Sequence, residues 1–97
     1  VRFGPLELDT GARALRAGDR AIDLTPREWS ILEYLILHAT AVVSKDKLVQ
    51  AISGWEDNLA TNAIEVYVSR LRAKLEATGV RIRTVRGVGY RIEEPEA

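Results

Sequence analysis

The chain has 97 residues, of which 46% are hydrophobic and 29% charged, a composition typical of one small globular domain. It contains no cysteine, which excludes a disulfide framework, a cysteine-based metal site and a cysteine nucleophile. Its 14 basic residues balance 14 acidic ones, so its net charge is zero. The apolar stretches are too short to cross a membrane, and the sequence does not begin with a basic segment followed by an apolar one. We therefore expect a cytoplasmic protein.

Residues 1 to 23 have the pattern of short strands separated by turns. Phe3, Leu6 and Leu8 are apolar, and Gly-Pro, Asp-Thr-Gly and Ala-Gly-Asp sequences interrupt the stretch at turn positions. The pattern predicts a small antiparallel sheet of three or four strands that packs against helices.

A helix start follows at Pro26. Thr25 is suited to cap the first backbone N–H groups, Pro26 to occupy the first helical position, and Glu28 to complete a capping box. Leu24 and Trp29 have the spacing of a hydrophobic staple. The spacing of the apolar residues then predicts a core-facing helix that ends near His38: Trp29, Leu32, Leu35, Ile36 and Ala39. His38 is the only histidine, and at a helix end we interpret it as a surface residue.

Ser44 is a plausible N-cap for a second helix that runs through Ile52. Lys45 and Lys47 lie at its start, where they either face phosphate groups or are solvated surface residues. Gly54 to Asn58 then break the helical pattern. We expect Trp55 in this break to be buried rather than exposed.

A third helix is predicted over residues 60 to 78. Its apolar residues follow steps of four, four, three and four, which places one narrow stripe against the core: Ala60, Ile64, Val68, Leu71 and Leu75. Gly79 is well placed to end the helix.

The opposite face of this third helix carries small or hydrogen-bonding residues in place of the charges usual on a solvated face. It comprises Asn62, Val66, Ser69 and Ala73, flanked by Ala63, Glu65 and Arg70. Arg72 and Lys74 extend to either side. DNA recognition requires short polar side chains against the base edges and cations against the phosphates. The sequence of this helix alone fits a major-groove helix and an ordinary amphipathic packing helix about equally well.

The basic residues concentrate in the last third of the chain. Residues 60 to 92 contain seven Lys or Arg against two Glu, a local net charge of +5 in a chain of zero net charge. Such an asymmetry favours one end of the domain as the side that faces an anionic partner.

Residues 81 to 92 alternate polar and apolar around a glycine-containing turn, which predicts a β-hairpin with Arg86 at or near its tip. The glycines do not form a phosphate loop, because the Walker lysine is missing and no helix follows.

Three ordered motifs resemble the winged-helix effector domain of the OmpR/PhoB family of bacterial two-component response regulators. They are LTPRE at 24–28, NAIEVYVSRLRAKL at 62–75 and TVRGVGYR at 84–91, and the resemblance covers almost the whole chain. It implies one α+β domain over residues 1–97: an N-terminal four-stranded antiparallel sheet, three helices with the third in the major groove, and a C-terminal hairpin wing in the adjacent minor groove.

The resemblance also implies roles for single residues. The family's reading positions are occupied here by Asn62, Ala63, Val66, Ser69 and Arg70, of which Arg70 matches a base-contacting arginine. Tyr67 and Arg72 match positions that contact the DNA backbone, Arg86 matches the wing arginine, and we add Lys45 and Lys74 as further backbone contacts from their charge and place. The loop with Trp55, Glu56 and Asp57 contacts RNA polymerase in some members.

Family members carry a phospho-accepting receiver domain, on which a sensor kinase acts, and no acidic phosphorylation pocket is visible in these residues. The resemblance therefore implies an excised effector domain, monomeric alone, of a protein that binds tandem half-sites on double-stranded DNA. A module that docks a protein is the alternative hypothesis, and it would show weak salt dependence. Without clustered catalytic groups we expect no enzyme, no cofactor and no metal.

Overall fold

The structure, a computed structural model, describes residues 1–52 and 61–95. Four short strands form an antiparallel sheet at the N-terminal end, in the order β1 (Arg2–Phe3), β2 (Leu6–Asp9), β3 (Ala14–Ala17) and β4 (Arg20–Ile22). Leu6, Leu8 and Leu15 are buried, and Leu8 lies opposite Leu15 in the register. The period-two pattern thus turns one face of the sheet toward the core, and the predicted four-stranded sheet is confirmed.

Helix α1 spans Pro26–Leu37 and begins with the predicted capping box. The Thr25 hydroxyl accepts a hydrogen bond from the Glu28 N–H at 3.2 Å, and the Glu28 carboxylate accepts one from the Thr25 N–H at 2.9 Å. Leu24 is partly buried against the core and Trp29 is fully buried. His38 caps the C-terminal end and is exposed, as predicted, with its ring stacked on Tyr34. The ends of α1 therefore follow from local sequence.

Helix α2 spans Lys45–Ile52, and the Ser44 hydroxyl accepts a hydrogen bond from the Lys47 N–H at 3.2 Å. This bond satisfies one of the free donors at the start of the helix, as predicted for an N-cap.

Helix α3 spans Thr61–Leu75, and a 3₁₀ turn at Glu76–Thr78 continues it up to Gly79. The helical segment predicted to end at residue 78 does so, but its last turn is a tighter 3₁₀ turn. Gly79 follows with a left-handed φ of 80° and ends the segment, as predicted. The stripe predicted to be buried is confirmed at Ile64, Val68, Leu71 and Leu75, each at most 1% exposed. Ala60, also assigned to this stripe, lies outside the described residues.

The chain ends in an antiparallel hairpin of β5 (Arg81–Val85) and β6 (Gly89–Glu93), as predicted. Ile82, Tyr90 and Ile92 are buried, so the hairpin packs its apolar side on α1 and α3. Within the described residues, no helix is long and apolar enough to cross a membrane.

Candidate nucleic-acid interface

The outer face of α3 is solvent-exposed where the sequence predicts it. Burial of the inner stripe leaves Asn62, Val66, Ser69 and Arg70 exposed, with Val66 at 49%, and leaves Ala63 half-buried. Within residues 1–52 and 61–95, the Arg70 side chain makes no hydrogen bond or ion pair. This face therefore presents short side chains and the Arg70 guanidinium to solvent.

Beside that face, an ion pair joins the starts of α2 and α3. The Lys45 ammonium lies 2.6 Å from the Glu65 carboxylate. The hydrogen bond from Lys45 lowers the pKa of Glu65, and the same bond raises the pKa of Lys45, so both groups stay charged at neutral pH. The pair neutralises the acidic residue next to the outer face of α3. Sequence reasoning assigned Lys45 to phosphate and missed this partner.

Tyr67 links α3 to the start of α1. Its hydroxyl accepts a hydrogen bond from the Arg27 Nη1 at 2.8 Å, and the Arg27 guanidinium lies 6.0 Å from the Tyr67 ring centroid. Tyr67 is half-buried, so part of the residue remains accessible beside the outer face.

Lys74 points toward the start of α1. Its ammonium lies 2.6 Å from the Glu28 carboxylate, whose side chain is 1% exposed. Burial by itself would raise the pKa of Glu28, but the hydrogen bonds from Lys74 and from the Thr25 backbone outweigh it, so the pKa is lowered. The structure thus gives Lys74 an internal partner 46 residues away that the sequence did not reveal.

Arg72 joins α3 to the hairpin. Its Nε and Nη2 donate to the Ile82 carbonyl at 2.9 and 2.6 Å, and Nη2 also donates to the Thr84 hydroxyl at 2.7 Å. The guanidinium also lies 5.9 Å from the Tyr90 ring centroid. Sequence reasoning assigned Arg72 to DNA phosphate only and missed these contacts.

The hairpin tip projects into solvent between β5 and β6. Arg86 and Val88 are exposed, and Gly87 between them takes a left-handed φ of 78°. Arg86 makes no hydrogen bond or ion pair to the part of the chain that the structure describes. An open groove of about 440 Å³ separates the tip from Ser44 and Lys45 at the start of α2.

The base of the hairpin is held against the segment before α2. The Val43 N–H donates to the Tyr90 carbonyl at 2.7 Å, and the Tyr90 N–H donates to the Val43 carbonyl at 2.8 Å. Gly89 makes this approach possible, since a Cβ there would collide with the Val43 carbonyl oxygen.

The loop residues Trp55, Glu56 and Asp57, assigned to a polymerase contact, lie outside the described residues.

The sequence and the fold are similar to those of known proteins. Residues 19–92 match the family model described as "Transcriptional regulatory protein, C terminal". The chain is 40% identical over 92 residues to the response regulator protein PmrA of Pseudomonas aeruginosa, with 95% of this chain covered. It spans about 41% of the length of that relative.

Two solved structures share the fold. One is the DNA-binding domain of the response regulator AdeR in complex with an intercistronic region, with a TM-score of 0.86, 27% identity, and coverage of 98% of this chain and 100% of that one. The other is the response regulator DrrB, a Thermotoga maritima OmpR/PhoB homologue, with a TM-score of 0.80, 30% identity, and coverage of 94% and 42%.

Proposed function

The chain belongs to the family of C-terminal domains of transcriptional regulatory proteins, as the DNA-binding effector domain of an OmpR/PhoB-type response regulator, and we propose how it holds DNA. Helix α3 lies in the major groove, where its outer face reads base edges. The hairpin is the wing, whose tip enters the adjacent minor groove.

The observation that carries this proposal is the outer face of α3. This face is exposed and consists mainly of short side chains, so it can approach the base edges at the floor of the major groove, which is about 12 Å wide. Asn62, Ala63, Val66 and Ser69 have the size for contacts with base edges, while Arg70 can donate two hydrogen bonds to a guanine. Among the residues that the structure describes, none forms a hydrogen bond or an ion pair with the Arg70 side chain, so its guanidinium is available for that contact.

The wing supports the same placement. Arg86 is exposed at the tip of the turn, and a narrow minor groove carries an enhanced negative potential that attracts arginine. The contacts between β6 and Val43 keep the wing beside α2 and α3, so both DNA-facing elements belong to one surface.

Backbone contacts come from residues at the edge of the α3 face. Tyr67 is half-buried, and Arg72 keeps its Nη1 donors outside its bonds to the hairpin. Lys45 shares its charge between a phosphate and Glu65, which lies 2.6 Å away. Lys74 contributes less to DNA than its charge predicted, because it neutralises the buried Glu28.

The wider protein is part of the proposal, since this chain spans about 41% of the length of the relative PmrA. A receiver domain, controlled by a sensor kinase, would bring two effector domains onto tandem half-sites, and the effector domain alone would be monomeric. The loop that contains Trp55, Glu56 and Asp57 would be available for RNA polymerase.

Selection of bound fragments from random DNA, followed by titration of the selected site, tests the assignment of α3. Arg70→Ala should cost about 1 to 3 kcal/mol on the specific site and relax the preference at one base pair. Arg16→Ala, which removes the same charge from an exposed position on β3, is the control and should keep the preference. An unchanged preference profile in Arg70→Ala would exclude Arg70 as a reading residue.

Salt titration separates DNA binding from protein docking. Several phosphate contacts should make the affinity fall steeply with salt, whereas a protein-docking surface would respond weakly.

For the wing, Arg86→Ala should weaken binding to a half-site flanked by an A-tract more than to the same half-site with a wide flanking minor groove. Equal affinity of wild type and Arg86→Ala on both duplexes would remove the wing from the interface.

A further inference from the structure

The wing is attached to the rest of the domain along both of its edges, and the two attachments differ in kind. On the β6 side, the Tyr90 backbone exchanges two hydrogen bonds with Val43. On the β5 side, the Ile82 carbonyl points away from β6 and is bonded by Arg72 of α3. In addition to the buried side chain of Ile82, the Arg72 side chain therefore holds the β5 edge of the wing against the helix that faces DNA.

The geometry of this side chain is specific. Nε and Nη2 of Arg72 converge on one carbonyl oxygen, while Nη2 also reaches the Thr84 hydroxyl two residues further along β5. A planar guanidinium can make this two-point contact along a strand edge, but a lysine ammonium on a flexible stem cannot reproduce it. The contact therefore constrains the orientation of β5 as well as its distance from α3.

We propose that Arg72 is a positioning residue for the wing: it sets the angle between the hairpin and α3, so that Arg86 reaches the minor groove while α3 occupies the major groove. The inference rests on the proposed function of α3 and the wing. It adds that the discrimination between flanking sequences depends on a residue outside the wing. Without Arg72 the wing stays attached through Val43 and through its buried residues Ile82, Tyr90 and Ile92, but its β5 edge is no longer fixed to α3 and the tip changes its angle.

Two substitutions separate positioning from a simple phosphate contact. Arg72→Lys keeps the positive charge and loses the two-point bond, while Thr84→Val removes one acceptor without changing any charge. Positioning predicts that Arg72→Lys lowers the affinity for a half-site with an A-tract flank by about tenfold, the order expected from a lost charge-assisted hydrogen bond. The wide-groove duplex should be much less affected, and Thr84→Val should show the same preference to a smaller degree.

A double-mutant cycle with Arg86→Ala identifies the route of the effect. If Arg72 acts through the wing, adding Arg72→Lys to Arg86→Ala should cause little further loss on the A-tract duplex. The slope of affinity against salt should stay at the wild-type value in Arg72→Lys, because the charge is retained. Losses that multiply in the double mutant, or a flank preference equal to wild type in Arg72→Lys, would overturn the proposal.

A measurement without DNA keeps the inference separate from the proposed function. The chain has no cysteine, so spin labels at Leu37→Cys and Val88→Cys report one distance, from the exposed end of α1 to the exposed wing tip. Arg72→Lys should broaden or shift the distance distribution. Arg83→Lys, the same substitution on β5 at a side chain 65% exposed, should leave it unchanged.

The outcomes are distinguishable. An unchanged distance distribution in Arg72→Lys overturns the positioning role, whatever the DNA titrations show. A changed distribution, combined with no effect of Arg86→Ala on either duplex, supports the role of Arg72 in the wing and instead overturns the minor-groove contact of the proposed function.

Discussion

The ion pair between Glu28 and Lys74 gives a sharp test of how α3 is fixed to the start of α1. Lys74→Met keeps most of the length and apolar volume of the side chain and removes its charge. It leaves the Glu28 carboxylate, 1% exposed, with its hydrogen bond from the Thr25 N–H but without the ammonium. A buried carboxylate without its partner is destabilising, because at 1% exposure little water can replace the lost ammonium.

The magnitude follows from the exposure of the two groups. Breaking a fully buried pair costs roughly 3 to 5 kcal/mol, and an exposed pair contributes about 0 to 1 kcal/mol. The Lys74 side chain is 35% exposed, so solvent already screens the pair in part. We therefore expect a loss of about 2 kcal/mol, which corresponds to a drop in melting temperature of roughly 8 to 16 °C for a domain of this size.

The pH dependence gives the same pair a second signature. The folded-state pKa of Glu28 is lowered from its ordinary value of 4.5, so the pair stabilises the fold at neutral pH, and this contribution is lost as the pH falls through the lowered pKa. In Lys74→Met the main lowering contact is gone while burial remains. The difference in melting temperature between wild type and Lys74→Met should therefore shrink on acidification.

Thermal melts at neutral and acidic pH measure both effects. Lys47→Met, at an exposed lysine of α2 without a side-chain partner in the described residues, is the matched control. In a Glu28→Gln background, Lys74→Met should cost little, since the buried charge is already gone. Two results together would refute this reasoning: Lys74→Met melts at the same temperature as the control, and its DNA binding depends less on salt, with a slope reduced by about one. Lys74 would then contact a DNA phosphate.

Three further outcomes are expected. Leu71→Ala should reduce the free energy of unfolding by roughly 2 to 5 kcal/mol, whereas Ser69→Ala on the exposed face should change it by less than about 0.5 kcal/mol; equal denaturation midpoints would mean that α3 is oriented differently. Gly89→Ala should loosen the hairpin, because a Cβ there collides with the carbonyl oxygen just before α2; amide exchange across β6 should accelerate, and unchanged exchange would contradict the close approach. Glu65→Gln should strengthen binding to DNA of any sequence and steepen its salt dependence by about one unit, because it frees Lys45; an affinity equal to wild type would place this pair away from DNA.

The elements of the fold follow from patterns a few residues long. The capping box of Thr25 and Glu28 is complete within one helical turn, so the start of α1 can be predicted from the sequence. The inner stripe of α3 is equally local, because a regular helix brings Ile64, Val68, Leu71 and Leu75 to one side whatever packs there. The outer face, including Arg70, is then determined as its opposite.

Burial inside α1 follows less completely from the sequence. The apolar spacing identified Trp29 and Leu32, but Ile31 is also fully buried because neighbouring elements cover more than one stripe of the helix. Glu28 is 1% exposed although glutamate is usually a surface residue. Its burial depends on a lysine that the fold brings to it from another helix.

The partners of the long charged side chains were decided only by the tertiary structure. Lys74 pairs with Glu28, which lies 46 positions earlier in the chain, and Lys45 pairs with Glu65, which lies 20 positions later. Arg72 donates hydrogen bonds to acceptors on β5. From the sequence, we assigned all three cations to the DNA backbone, Lys45 and Lys74 from their charge and place and Arg72 from the resemblance. The sequence does not show which acidic group or carbonyl lies within reach of each. Such side chains have several rotatable bonds and reach in many directions, so only the packing of α1, α2, α3 and the hairpin selects one partner for each.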